Sequence, residues 1–375
     1  MVLMALDHVR DFFHADAMVD DPTNLATTTP FLFFTRWITH YCAPVFVFLA
    51  GTSAYLSGQR KSKKDLSLFL LKRGLWLVLA EIFIVSLGWT FNPFYNAIVL
   101  QVIWAIGVSM ILLGLIIWLP YPVILILGLI IVFGHNLLDK AEAERAGNLN
   151  LFWDMAHWSR FTGYTIFSNH VIFFAYAFLP WTGVMLLGYC FGKLYQKDAD
   201  RAWRKKMLMA LGLSAIVSFI LLRYINQYGN PAQWIVQRND TYTFLSFLNV
   251  HKYPPSLHYI LMTLGPAVLF LSFFENMQGR FSRFFITFGR VPFFYYLLHI
   301  FLIHTLCVIA FFISGYGTND IAGQSPFLFR PLRFGFNLWG VYAVWIVTIL
   351  LLYPLCRWYD GYKSRHQDKW VLSYL

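Results

Sequence analysis

Five ionisable side chains crowd the stretch "LDHVRDFFH", Leu6 to His14: Asp7, His8, Arg10, Asp11 and His14. On a helix at about 100° per residue, Asp7, Arg10, Asp11 and His14 share about a quarter of the circumference, and His8 lies about 60° from Asp11. A carboxylate beside an imidazole fixes its tautomer and supports the imidazolium. His8 or His14, oriented by Asp7 or Asp11, can therefore take a proton from a hydroxyl or amine that attacks an acyl carbon. Arg10 would hold the site or stabilise the carbonyl oxyanion. The same groups also suit a proton relay in a transporter, and the stretch alone does not decide between the two.

Further ionisable residues interrupt strongly apolar runs. Arg36 and His40 are four apart in "FFTRWITHYCAPVFVFLAG". Lys72 and Arg73 stand near one end of "LLKRGLWLVLAEIFIVSLG", with Glu81 deep inside it, and Gln101 and Trp104 open "LQVIWAIG" one turn apart. "FGRVPFFYYLLHIFLIHTL" carries Arg290, His299 and His304, with Tyr295 and Tyr296 about a turn before His299. Each such group costs about 2.5–3.5 kcal/mol at the centre of a bilayer unless it is paired or wet. Lys72, Arg73 and Arg290 either snorkel to lipid phosphates or neutralise an anionic cofactor arriving from the cytoplasm. Glu81 is expected to partner a buried Arg, and His299 and His304 are either satisfied core histidines or site residues. The sequence holds no phosphate-binding glycine loop, no HExxH and no Gly-x-Ser-x-Gly.

The elements that carry these residues are membrane helices. Of 375 residues, 58% are hydrophobic, 19% aromatic and only 13% charged, against about 25% charged in a soluble domain. The expected fold is all-α, one polytopic integral membrane bundle of about ten or eleven transmembrane helices spanning 1–375. The segments fall roughly at 1–14, 31–57, 67–90, 97–118, 121–137, 171–194, 207–225, 256–274, 285–314 and 335–356. The first looks truncated at its start, and no cleavable signal is evident. The net charge of +11 comes from short clusters between apolar runs, which reads as cytoplasmic loops and argues against a nucleic-acid partner. "QRKSKKDL", "KLYQKDADRAWRKK", "NMQGRFSRF" and "CRWYDGYKSRHQDKW" hold more than half of the 29 Lys and Arg. Their alternation with basic-poor loops places both termini in the cytoplasm. The four cysteines lie far apart and suggest neither a disulfide framework nor a metal site, so no metal is expected.

The two longest outer loops, 138–170 and 226–255, are rich in Trp, Tyr, Phe and Asn. Loops of that length usually have a function. Their aromatic faces and amide donors suit a sugar ring; the plainer reading is an interfacial aromatic belt.

"MVLMALDHVRDFF", "TRWITHYCAPVFVFLAGTSAYL", "LQVIWAIGVSMI", "KYPPSLHYILMTLGPA" and "FGRVPFFYYLLHIFLIH" together resemble bacterial membrane proteins of the DUF1624 group. That group is related to the catalytic domain of heparan-alpha-glucosaminide N-acetyltransferase and, more distantly, to the transmembrane acyltransferase superfamily. The resemblance implies transfer of an acetyl group from cytoplasmic acetyl-CoA to a sugar or glycan on the outer side, in a bacterial inner membrane. It places His8 where the lysosomal enzyme has a functional Asn, makes His14 the nearest match to that enzyme's catalytic His, and sets Arg36 and His40 before a helix that walls the family's tunnel. The expected assignment follows. His8 or His14 acts as base with Asp7, Asp11 and Arg10. Arg36, His40, Gln101, Trp104, Lys252 of "KYPP", His299 and His304 contact substrate, and Lys72, Arg73 and Arg290 hold the CoA phosphates. The bilayer is a partner, and a homodimer is left open. A transporter or flippase of a sugar or lipid-linked substrate is the alternative.

Overall fold

The computed structural model describes residues 1–375 except 146–149, 159, 160, 162, 168, 276, 323, 324, 367, 368, 370, 371 and 373–375. Parts of the expected loop 138–170, of the two C-terminal basic loops and of 315–334 therefore lie outside the described residues. In chain order the elements are α1 (Val2–Phe13), α2 (Pro30–Thr39), α3 (Cys42–Gly58), α4 (Lys63–Ala80), a π-turn (Glu81–Val85), α5 (Ser86–Thr90), β1 (Ala97–Leu100), α6 (Val102–Ile116), α7 (Tyr121–Gly134), a 3-10 turn (His135–Leu138), α8 (Asp139–Arg145) and α9 (Leu151–Trp153). A second π-turn (Asp154–Trp158) leads to β2 (Gly163–Phe167), β3 (His170–Phe174), α10 (Phe178–Phe191), α11 (Arg201–Ile225), α12 (Asp240–Leu248), α13 (Leu257–Phe274), α14 (Arg280–Arg290), α15 (Pro292–Ile313) and α16 (Leu338–Arg365).

The protein is an all-α membrane bundle. Among the described residues, six helices are long and apolar enough to span a bilayer: Pro30–Gly58, Tyr121–Arg145, Arg201–Ile225, Leu257–Phe274, Pro292–Ile313 and Leu338–Arg365. Their outer faces are greasy. On α7, Val123, Ile126, Ile130 and Phe133 are exposed at helical spacing while Ile124, Gly128 and Val132 are buried, a distribution that suits lipid and not water. Helix starts follow local chemistry: Ser62, Asp200, Ser256 and Asn337 accept from backbone N–H groups in the first turns of α4, α11, α13 and α16.

Several expected segments are shorter or broken. The run 285–314 is two helices, because Pro292 excludes the helical conformation at Val291, which sits at φ −127°. The run 171–194 begins as β3, paired antiparallel to β2, and becomes helix only at Phe178. A short apolar run rich in β-branched and aromatic residues reads alike as strand or buried helix. The carboxylate of Glu81, expected to partner a buried Arg, accepts from the backbone N–H of Gln101 and Trp104 at 3.0 and 3.1 Å, capping the start of α6.

The chain divides into two compact units: residues 1–42, 82–98 and 277–375 form unit 1, and 43–81 with 99–276 form unit 2. In unit 1, α1 packs on α15, α16 and α2, and Trp345 Nε1 donates to Val2 O at 2.9 Å. In unit 2, α3 and α10 cross so closely that a Cβ on Gly51 would lie 2.1 Å from Met185 O and one on Gly188 2.0 Å from Phe48 O. Such small-residue crossings are how helices associate in lipid.

Candidate functional site

Unit 1 gathers the ionisable stripe of α1. Asp7, Arg10, Phe12 and Phe13 are buried, whereas His8, Asp11 and His14 are half-buried. Arg36, brought in by α2, donates through Nη1 to both oxygens of Asp7 at 2.5 Å. Arg10 Nη2 donates to Asp11 at 2.5 Å and to Asp7 at 3.3 Å. Two guanidinium groups and two carboxylates thus lock the polar face of α1, which offsets the cost of their burial. Arg10 Nε is buried with no hydrogen-bond partner among the described residues.

His8 meets His299 of α15: Nδ1 of His8 lies 2.7 Å from Nε2 of His299, with the rings stacked at 4.9 Å. His299 Nδ1 lies 3.0 Å from Tyr295 O. A carbonyl only accepts, so in the neutral pair His299 Nδ1 carries a proton, His299 Nε2 accepts, and His8 Nδ1 donates. The lone pair of His8 is then on Nε2. Trp89 lies edge-on to His8 at 4.8 Å and Tyr296 at 6.1 Å, giving the imidazole an apolar wall.

At the far end of α1, His14 helps line a cavity of about 60 Å³ with Arg10, Asp16, Asp20, Asp21, Thr27 and Thr28. Arg330, 1% exposed, fixes this end by donating to Asp11 O, His14 O and Pro331 O. Gly335, at φ +120°, lets the following strand-like segment approach: a Cβ there would lie 2.3 Å from Phe13 O. Phe336 N then donates to Phe13 O at 2.6 Å, and Ala15 N to Phe336 O at 3.0 Å.

The other expected residues are dispersed. His40 is buried at the end of α2. His304 is buried between Gly88 O at 3.0 Å and Leu328 O at 2.8 Å, stacked on Phe91; its nitrogens tie α5 to the segment before α16. Gln101, Trp104, Lys72, Arg73 and Lys252 belong to unit 2. Lys72 is exposed, Arg73 lies over the Phe69 ring, and Lys252 over that of Tyr253. Arg290, in unit 1, has a 63% exposed side chain 3.5 Å from Asp360. Sequence reasoning passed over Trp89 and Arg330. Trp89 carries no charge to flag it, and Arg330 lies in a loop whose folding back onto α1 has no local signal.

Residues 2–225 match the family described as heparan-alpha-glucosaminide N-acetyltransferase, catalytic. The chain belongs to that family. The match covers more than half of the 375 residues, and the family is one of membrane acetyltransferases. No curated protein matches the chain, and no solved structure does. Among the described residues there is no group of three His, Cys, Asp or Glu side chains able to hold a metal ion.

Proposed function

We propose that the protein transfers an acetyl group from acetyl-CoA, bound from the cytoplasmic side, to a hydroxyl or amine of a sugar or glycan on the outer side of a bacterial inner membrane. Both chain ends lie in the cytoplasm, and the whole chain works as one acyltransferase domain. The observation that carries this reading is the His8–His299–Tyr295 chain, because it presents His8 Nε2 as a proton acceptor with a fixed tautomer. His8 is the general base. It takes the acceptor's proton as the oxygen or nitrogen attacks the thioester carbonyl, and the resulting imidazolium returns a proton to the departing CoA thiolate. Arg10, on the other side of α1 and bordering the cavity with His14, has a buried Nε with no partner among the described residues and is the oxyanion donor if His14 is the base. Asp7 and Arg36 hold Arg10 and α1 in place.

The CoA phosphates fit flexible or planar cations that are not fully consumed by carboxylates. Exposed Lys72, beside Arg73, meets that description in unit 2, and exposed Arg290 in unit 1. Within unit 1, buried His40 and His304 support the site. One observation favours a second reading for the base: His14, not His8, borders the cavity beside Asp16, Asp20 and Asp21. Substituting His8→Gln and His14→Gln separately and assaying CoA release on addition of amino sugars decides between them. The variant that loses turnover while keeping its acetyl-CoA affinity identifies the base. Sugar uptake into vesicles without CoA would instead favour a transporter.

A further inference from the structure

Unit 2 contains a second set of buried ionisable side chains that the proposed reaction does not use. Glu142 on α8, 3% exposed, accepts through one oxygen, Oε1, from Trp153 Nε1 at 2.6 Å and pairs with His157 Nδ1 at 2.6 Å. His157, fully buried in the second π-turn, places Nε2 3.0 Å from Nδ1 of His135. His135, 4% exposed, follows α7 directly. Asn136 anchors it, donating to Asp139 at 2.8 Å and accepting Leu257 N at 2.8 Å.

The protons can be placed in order. The Glu142 carboxylate accepts, so His157 Nδ1 donates and its Nε2 accepts; His135 Nδ1 then donates, and the lone pair of the chain ends at His135 Nε2. That atom is buried and has no hydrogen-bond partner among the described residues. Three residues before His157, Asp154 accepts the Tyr164 hydroxyl on Oδ2 at 2.5 Å, while its Oδ1 is likewise buried without a partner among them. Burial and the neighbouring Asp154 push the Tyr164 hydroxyl up to about 12, so it remains a donor. A purely structural Glu–Trp–His contact would be complete at His157. This network runs one imidazole further and ends on acceptors without donors, each costing about 1–3 kcal/mol.

We propose that Glu142, His157 and His135 form a hydrogen-bonded chain ending in a second ligand site at His135 Nε2, which takes a neutral polyhydroxylated ring through a hydroxyl donor. A hydroxyl completes the acceptor without bringing a charge out of water. The same loop offers apolar faces for ring C–H groups in Phe152 and Phe161, 66% and 49% exposed. Binding draws the hydroxyl proton towards His135 Nε2. Among the described residues, charged and titratable groups around the chain include Asp139 and Glu142 of α8, Asp154 and His157 of the π-turn, Tyr164 of β2, and Tyr228 beside Asp139. The site does not depend on acetyl transfer.

The test uses the full chain in nanodiscs with 15N-labelled histidine and methyl α-D-glucopyranoside as probe, without acetyl-CoA. His135 is assigned by His135→Asn, or by coupling across its hydrogen bond to His157 should that variant misfold. The expected result is a bare Nε2 and protonated Nδ1 on His135. The Nε2 resonance should move saturably with the sugar, and about tenfold more sugar should be needed in Glu142→Gln. A protonated Nε2, or a resonance that stays fixed as sugar is added to folded protein, overturns the proposal. Because no acyl donor is present, that failure leaves the acetyl-transfer reading standing, and loss of acetyl transfer leaves this site standing.

Discussion

His299 Nε2 lies 2.7 Å from His8 Nδ1, and His299 is itself oriented by Tyr295 O at 3.0 Å. His299→Asn removes the acceptor that holds the His8 tautomer. General acid–base contributions of about 10²–10⁴-fold put the expected loss of kcat at about 100-fold or more. KM for acetyl-CoA should be nearly unchanged, and steady-state kinetics on both substrates check this.

The Asp7–Arg36 pair is mostly buried, with side chains 12% and 13% exposed. Removing one partner of such a pair leaves an uncompensated charge and costs about 3–5 kcal/mol. Asp7→Asn and Arg36→Gln should each lower the thermal midpoint sharply, and the double variant should lose much less than the sum. Additive losses would mean that the two charges do not interact.

Gly335→Ala should destabilise unit 1 by more than about 1 kcal/mol, since φ is +120° and the new Cβ meets Phe13 O. The cavity lined by His14 should open with it. Thermal melts and proteolysis of the 315–337 segment report both effects.

Arg223 is 1% exposed and donates to the carbonyls of Ala232, Ser246, Phe247 and Asn249, so one guanidinium organises much of the loop 226–255. An ammonium cannot reproduce that planar fork. Arg223→Lys should make this loop the first site of proteolytic cleavage while α11 remains folded.

Lys72→Gln, Arg73→Gln and Arg290→Gln should each weaken acetyl-CoA binding about tenfold, with less dependence on salt than in the unsubstituted protein. Titration calorimetry at two ionic strengths measures this.

The membrane class and helical content were legible because hydropathy runs and sparse charge admit few other structures. The crowding on α1 was legible from 100° periodicity. Helix breaks at Val291–Pro292 and the strand at 170–174 were blurred because apolar runs hide a change of backbone conformation. The partner of His8 was hidden for a different reason: His299 is 291 positions away, and only the packing of α1 on α15 joins them. Glu81 carried a signal, but its backbone donors at the start of α6 were not legible, since N–H groups at a helix start serve a carboxylate as well as an Arg does. In the loop 138–170, the aromatic content drew notice while Glu142 and His157, and His135 just before the loop, did not, because their spacing resembles no metal or catalytic pattern.

The central claim is most directly tested by thiol release: purified protein in nanodiscs, acetyl-CoA, and a panel of sugars and amino sugars, with free CoA measured over time. The account predicts release that requires a sugar acceptor and falls about 100-fold or more in His8→Gln, with acetyl-CoA still bound. Release that is absent with every acceptor despite bound acetyl-CoA, or undiminished in His8→Gln and His14→Gln alike, would contradict it.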